Sequence, residues 1–182
     1  MATTIETLKS AVYGWVSSTS NITTIFANQN IKRPTAPYAL INILSINQVG
    51  TEESVTTVGT ITNEDDEEVE VVTTTYSAMQ EITVSINTFY KEAFQTALTI
   101  RDSINNILVT DYLNSVGLGY YMATPVTRMP ENIDEMWEER AHFDVIFYYR
   151  FSSSFSSEVI KSIQLENELT GQTITIPPIT EE

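Results

Sequence analysis

The chain has 182 residues, with 24 acidic against 9 basic side chains and a net charge of −15. Phosphate backbones are bound by clusters of Lys and Arg, so this balance argues against a nucleic-acid-binding protein. The absence of cysteine excludes disulfides and thiolate metal sites. The N-terminal residues lack a basic, apolar leader and no apolar run is long enough for a membrane span, which predicts a soluble protein made in the cytoplasm.

The first half of the chain predicts a helix, an interior strand and a hairpin. Apolar residues at three- and four-residue spacing predict a helix over residues 3–17, and Thr3 with Glu6 fits a capping box. Residues 38–49 are apolar at both odd-numbered and even-numbered positions, which is typical of a strand inside a sheet with both faces covered. Residues 51–75 are rich in Thr and Val around an acidic run, which predicts an extended hairpin with that run as its solvated tip.

The second half predicts three strands and one further helix. Residues 79–90 alternate between apolar and polar side chains, and residues 91–108 carry the apolar stripe of a helix. Residues 120–129 are predicted as a further strand. From Phe143 to Phe151 every second residue is apolar or aromatic, so residues 137–151 are predicted as the central strand of the sheet.

Together these elements predict an α+β fold with a mostly antiparallel sheet of four to five strands and two helices packed on one face. Residues 1–151 form the core, from which residues 50–78 protrude as the acidic hairpin. The composition changes at Ser152 to a serine-rich segment, so residues 152–182 are predicted as a linker and C-terminal arm. A hairpin signal lies around Thr170-Gly171 in that arm.

The sequence carries no signature of an enzyme, a cofactor site or a metal site. The acidic run lacks the alternating carboxylates and the bend glycine of a calcium loop. His142 and Asp144 are interpreted as a polar pair on a sheet surface, since no nucleophile or further ligands accompany them. No serine lies in a Gly-x-Ser-x-Gly turn, and no phosphate-binding loop occurs.

Some residues are candidates for an assembly surface. Trp137 is interpreted as a core residue flanked by charges, with Arg140 pairing an acid on a neighbouring strand. The aromatic tract from Tyr148 to Phe155 fits either a core or a subunit interface. The residues predicted to line an interface or a lumen are Glu64, Asp65, Asp66, Glu67, Glu68, Arg140, Tyr148, Arg150 and Phe155.

Several segments occur in a recognisable order. Arg33-Pro34 and Pro37-Tyr38 lead into the first strand, and residues 80–86 precede the helix that contains Ile100-Arg101-Asp102. Arg128-Met129-Pro130, residues 135–140 and the strand 143–148 follow. In this combination and order, residues 1–151 resemble the neck or tail terminator proteins of long-tailed bacteriophages. The acidic hairpin and the segment after Phe151 have no counterpart in that resemblance.

The resemblance implies a structural virion protein at the neck, above the tail. It implies a homo-hexameric ring that caps the tail tube, stops its growth and joins the tail to the head-side connector or stopper protein, with the sheath protein as a further candidate partner. An acidic lumen would let DNA pass without binding it. Neither a membrane nor a cofactor is implied.

Three alternatives stay open at this point. A head-completion or stopper protein and a tail tube protein belong to the same class, and a tube protein would polymerise alone. A carbohydrate-binding or adhesion module belongs to another class; it would be monomeric and stabilised by sugars.

Overall fold

The computed structural model describes residues 5–30, 32–62, 68–133, 136–158, 163–167 and 172–176. The chain divides into two compact units. The first unit comprises Met1–Glu52 and Ser77–Ser152, and the second comprises Glu53–Tyr76 and Ser153–Glu182. Three of the strands contribute residues to both units.

The described residues contain three helices and ten strands. The helices are α1 (Ile5–Ser20), α2 (Ala93–Ser103) and α3 (Ile107–Ser115). The strands are β1 (Thr23–Phe26), β2 (Tyr38–Thr62), β3 (Glu68–Phe89), β4 (Gly119–Ala123), β5 (Thr127–Arg128), β6 (Glu131–Ile133), β7 (Met136–Glu138), β8 (Arg140–Glu158), β9 (Ile163–Asn167) and β10 (Gln172–Ile176).

One six-stranded sheet organises the fold, in the order β1-β2-β3-β8-β4, with β5 also pairing with β8. β1 runs parallel to β2, whereas β4 and β5 run antiparallel to β8. β6 pairs with β7 and β9 pairs with β10, each as a separate antiparallel pair. The predicted α+β class with a mostly antiparallel sheet is confirmed. β9 and β10 pair antiparallel on either side of the predicted hairpin turn, and Thr170-Gly171 itself lies outside the described residues.

The core lies between the helices and one face of the sheet. Trp15 of α1 is 1% exposed and meets Phe147 of β8 edge to face, with ring centroids 6.0 Å apart. From Phe143 to Tyr149 the odd-numbered residues of β8 are all buried, as their alternation predicts. Burying such side chains is the main favourable term that stabilises this unit. The largest fully buried side chains are Trp15, Phe143, Phe147, Leu8, Ile41, Ile82, Ile86, Ile100, Leu113 and Leu118.

The predicted helix over residues 91–108 is wrong in its extent, because two helices occupy this region. α2 ends at Ser103, and α3 begins after Asn106. The Asn106 side chain accepts a hydrogen bond from the backbone N–H of Leu108 at 3.0 Å, which is N-cap geometry. Asn prefers this position to a helix interior, since its side chain competes for backbone hydrogen bonds. The described residues therefore contain three helices, where the sequence predicted two.

The N-terminus of α2 is capped by a residue distant in the sequence. Glu139 lies between β7 and β8, and its carboxylate accepts hydrogen bonds from the backbone N–H groups of Glu92 and Phe94 at 3.1 and 3.4 Å. A carboxylate there satisfies orphan donors and complements the helix dipole. Glu92 itself has a left-handed backbone, with φ 63°, and its own side chain makes no capping bond.

Two strand predictions are corrected. Residues 120–129 form β4 and β5 with a break between them, where Pro125 has no N–H to donate to a ladder. The central strand continues past Phe151 to Glu158, so the serine-rich segment begins as strand rather than as linker. Hydrogen bonds between side-chain hydroxyls join this segment to β3. The Ser154 hydroxyl lies 2.8 Å from that of Thr75, and the Ser156 hydroxyl lies 2.7 Å from that of Thr73. The boundary of the predicted arm stays a prediction.

The predicted hairpin before and after the acidic run corresponds to β2 and β3. Thr56 and Thr74 face each other across the pair, with their hydroxyls 3.2 Å apart, and the Thr57 hydroxyl donates to the Thr73 carbonyl at 3.5 Å. One step forward along β2 corresponds to one step back along β3, which is the pattern of antiparallel strands. The capping residue Thr3 and residues 63–67 lie outside the described residues.

Candidate functional site

The helix-free face of the sheet carries two of the predicted interface residues, Tyr148 and Arg150, on β8. The Tyr148 hydroxyl donates to the carboxylate of Glu81 on β3 at 3.1 Å, and its ring lies 5.0 Å from that of Tyr121 on β4. Desolvation and, second, the Glu81 carboxylate raise the pKa of Tyr148 above its ordinary value. Arg150 donates to the Ser77 hydroxyl at 2.8 Å. The structure thus joins both residues to β3 rather than leaving them as isolated surface groups.

Arg140 is the third predicted residue on this strand. Its guanidinium donates to the Asn87 side-chain oxygen at 3.0 Å and lies 3.6 Å from the carboxylate of Glu131 on β6. It also lies over the Phe89 ring, 5.2 Å from the centroid. The prediction that Arg140 pairs with an acid on a neighbouring strand is therefore confirmed. Its shorter contacts, however, are with the side-chain oxygen of Asn87 on β3.

Arg33, which sequence analysis did not select as a site residue, anchors the same region. It forms an ion pair with Glu138 of β7 and donates to the Tyr38 hydroxyl at 2.8 Å. The rings of Tyr38 and Phe89 stack with centroids 4.6 Å apart beneath the guanidinium. Burial raises the pKa of Tyr38 despite the opposing effect of Arg33. No local pattern could have found this cluster, since Arg33 and Glu138 are 105 positions apart.

Trp137 lies on β7 beside this cluster. The prediction that it is a core residue is wrong, because the side chain is 72% exposed. β6 and β7 form a short pair outside the six-stranded sheet, and the described part of the chain leaves most of the Trp137 side chain uncovered. Large exposed aromatic residues held by a rigid neighbour are typical anchors of protein interfaces. Met129 at 44% exposure precedes this pair of strands and adds apolar surface.

His142 and Asp144 lie two positions apart on β8 and are both partly buried, so they are more enclosed than the predicted polar pair on a sheet surface. Among the described residues, His142 Nδ1 and Asp144 Oδ1 are buried atoms without a hydrogen-bond partner. The backbone of Asp144 pairs with Thr124, whose hydroxyl lies 2.8 Å from the Asp144 nitrogen. The described part of the chain contains no group of three potential metal ligands. In the same part of the chain, no helix is long and apolar enough to cross a membrane.

The remaining predicted residues belong to the second unit. Glu64, Asp65, Asp66 and Glu67 lie outside the described residues, and Glu68 is exposed at the start of β3. Phe155 is 58% exposed and stacks on Tyr76 with ring centroids 5.5 Å apart. This unit is a ribbon of strands with many hydroxyl side chains. These observations give no common site that unites the nine predicted residues.

A family model described as phage neck terminator protein matches residues 6–174. The chain belongs to the phage neck terminator family. The match confirms the family resemblance and extends it past Phe151, a segment for which the resemblance offered no counterpart. Members of this family are structural proteins of the phage neck, which favours a virion component over the carbohydrate-binding alternative. No individual curated protein matches the chain.

Membership in the phage neck terminator family gives the described surfaces a context. A neck protein contacts other proteins of the neck and tail, so exposed aromatic side chains and open sheet edges are candidate contacts. The family is not known for catalysis, which accords with the absence of an enzyme signature in the sequence.

Proposed function

We propose that six copies of the protein form a ring that caps the tail tube, stops its growth and joins the tail to the head-side connector. The observation that carries this proposal is the family match across residues 6–174. The tail tube protein and the connector or stopper protein are the partners, and the sheath protein is a further one in a contractile tail.

The charge of the chain supports a passive channel for DNA. Each copy carries a net charge of −15, so a ring of six is strongly acidic. DNA that moves through such a ring would be repelled by its wall rather than held by it. The acidic run at residues 64–68 is the densest concentration of this charge in the sequence, and we assign it to the lumen or to an adjoining solvated rim.

The C-terminal segment is proposed as a docking arm for a neighbouring protein. The predicted arm, residues 152–182, overlaps the C-terminal part of the second unit, Ser153–Glu182. β9 and β10 pair only with each other among the described strands, and a two-stranded hairpin is marginally stable alone in water. Docking onto a partner would supply the packing that such a hairpin needs.

The experiment that tests the function uses the tube protein of the same phage, assembled in vitro with increasing amounts of this chain. Capping predicts shorter tubes with a ring of six at one end in negative-stain images. Unchanged tube lengths with no bound rings would refute the proposal. Long tubes formed by this chain alone would identify a tube protein, and binding to isolated heads but not to tubes would identify a stopper.

A chain truncated after Ser152 tests the arm. We expect the truncated chain to keep a cooperative unfolding transition, because the first unit is complete without residues 153–182. Its binding to tubes or connectors should be weakened relative to the full chain. A truncated chain that does not fold would show that the arm belongs to the core.

A further inference from the structure

The charged residues of the chain are distributed unevenly along the sequence, and the segments without charge correspond to particular strands of the sheet. Three long segments carry no charged residue: residues 10–31, residues 34–51 and residues 112–127. The first two supply most of α1, all of β1 and the first half of β2. The third supplies the end of α3 and all of β4. In the strand order β1-β2-β3-β8-β4, the uncharged segments therefore lie at the two opposite ends of one sheet.

The first of these ends has an open strand edge. β1 covers β2 only as far as Ile41, and none of the described strands pairs with this edge of β2 beyond it. From Asn42 to Thr51 the uncovered stretch carries no charged residue and is rich in apolar side chains, with Leu44 52% and Val49 40% exposed. A groove of about 500 Å³ opens where β1 ends, lined by Tyr13, Phe26 and Asn42 among others. Glu6 and Lys9 also line it, and they form an ion pair with each other at 2.7 Å. An exposed edge with these residues is a template for pairing with another strand.

The second end is also open and apolar. β4 is the last strand in the order, so one of its edges has no partner among the described strands. Tyr120, Tyr121 and Met122 of this strand are 38%, 55% and 43% exposed. Tyr and Met are enriched in protein interfaces. No charge lies within this strand to oppose burial against another copy.

We infer that copies of this chain associate head to tail, with the β4 edge of one copy against the β2 edge and groove of the next. Copies with a charge of −15 repel each other, so a stable contact between them requires surfaces that carry little net charge. Two different patches on opposite sides of a subunit form heterologous contacts, which generate a ring when the rotation between neighbouring subunits closes. The occupant of each edge is therefore a second copy of the same chain. This inference rests on the proposed ring and names its interface.

The absence of cysteine allows a direct test by cross-linking. Gln48→Cys lies on the exposed β2 edge and Met122→Cys on the β4 edge. With a short bismaleimide linker, rings of the double variant should give a ladder that ends at the hexamer. A mixture of the two single variants should stop at the dimer, and each single variant alone should give no cross-linked product.

The other outcomes are equally informative. Cross-linking of Gln48→Cys with itself would show a symmetric β2–β2 contact and overturn the head-to-tail arrangement. Rings visible in micrographs without any cross-link in the double variant would overturn the interface while leaving the proposed ring intact. If the chain forms no rings, either alone or on tubes, both the interface and the proposed function are refuted.

A matched pair of substitutions tests the role of charge. Gln48→Glu adds one negative charge at the β2 edge, and Gln95→Glu makes the same isosteric change at an exposed site on α2. We expect Gln48→Glu to raise the concentration needed for ring formation at least about tenfold, with no change in thermal stability of the monomer. Gln95→Glu should leave ring formation unchanged. Equal effects of the two substitutions would contradict the inference.

Discussion

The indole nitrogen of Trp15 donates a hydrogen bond to the hydroxyl of Ser103 at 2.9 Å and thereby joins the middle of α1 to the last turn of α2. The two residues are 88 positions apart, and Trp15 is almost fully buried. The Ser103 hydroxyl also donates to the Ile100 carbonyl at 2.6 Å. This bond therefore satisfies a buried donor that would otherwise have no partner at the junction of the two helices.

We expect Ser103→Ala to lower the free energy of unfolding by about 1–3 kcal/mol, because it leaves the buried indole N–H unsatisfied. Urea denaturation followed by tryptophan fluorescence measures the change. Ser115→Ala is the matched control, since the Ser115 hydroxyl makes a similar bond within α3 but is exposed. A loss no larger than that of the control would show that the indole finds another partner.

Two phenylalanines of β8 test the packing of the sheet. Phe147 is fully buried, whereas Phe151 is 46% exposed. Phe147→Ala should lower the free energy of unfolding by about 3–5 kcal/mol, because it removes a large buried side chain and leaves a cavity. Phe151→Ala should cost less than about 1 kcal/mol. Similar losses for the two variants, measured by urea denaturation, would contradict this assignment.

The cap of α2 by Glu139 predicts a loss of stability of about 1 kcal/mol for Glu139→Ala, since two backbone donors lose their acceptor. Glu52→Ala, at an exposed site on β2, is the control and should change stability little. Hydrogen exchange gives a second readout, because the amides of Glu92 and Phe94 should exchange faster in the Glu139 variant. Unchanged exchange at these amides would refute the cap.

Burial raises the pKa of Tyr149 above its ordinary value. In the unfolded chain this phenol ionises near about pH 10, while in the folded chain it keeps its proton to higher pH. The stability that this group contributes is therefore complete below about pH 10 and is lost as pH rises through the folded pKa. The Tyr149→Phe variant has no phenol at this position, so its free energy of unfolding should fall less steeply above about pH 10. Urea denaturation at a series of increasing pH values measures the difference. Parallel curves for the variant and the natural chain would contradict the prediction.

The acidic run should contribute little to stability if it is a solvated tip. Replacing residues 64–68 with Ser is expected to change the free energy of unfolding by less than about 0.5 kcal/mol. Val71→Ser is the contrast within the same unit, since Val71 is 4% exposed and its replacement should be clearly destabilising. If the tip variant loses as much stability as the Val71 variant, the acids are paired or hold a metal ion.

Regular local patterns explain which features of this fold were predictable. The period-two pattern from Phe143 to Tyr149 predicted a strand with one buried face, because successive side chains of a strand point to opposite faces. The spacing of apolar residues in α1 predicted its buried stripe in the same way. The order of the segments also identified the family, which the match to residues 6–174 confirms.

Other features depend on contacts between distant residues. Trp137 precedes the buried part of β8 and Phe151 follows it. Both are aromatic, yet both are exposed because no layer of the described fold covers them. The pairing of Arg33 with Glu138 brings together residues that no sequence spacing relates.

Local periodicity and the order of segments are enough to predict the class of fold, the family and the buried face of β8. The end of α2, its cap, the exposed aromatic side chains and the open strand edges became visible only in the folded chain. Each of these depends on what packs against a residue, and the neighbours of a residue in space are set by the whole chain rather than by its neighbours in sequence.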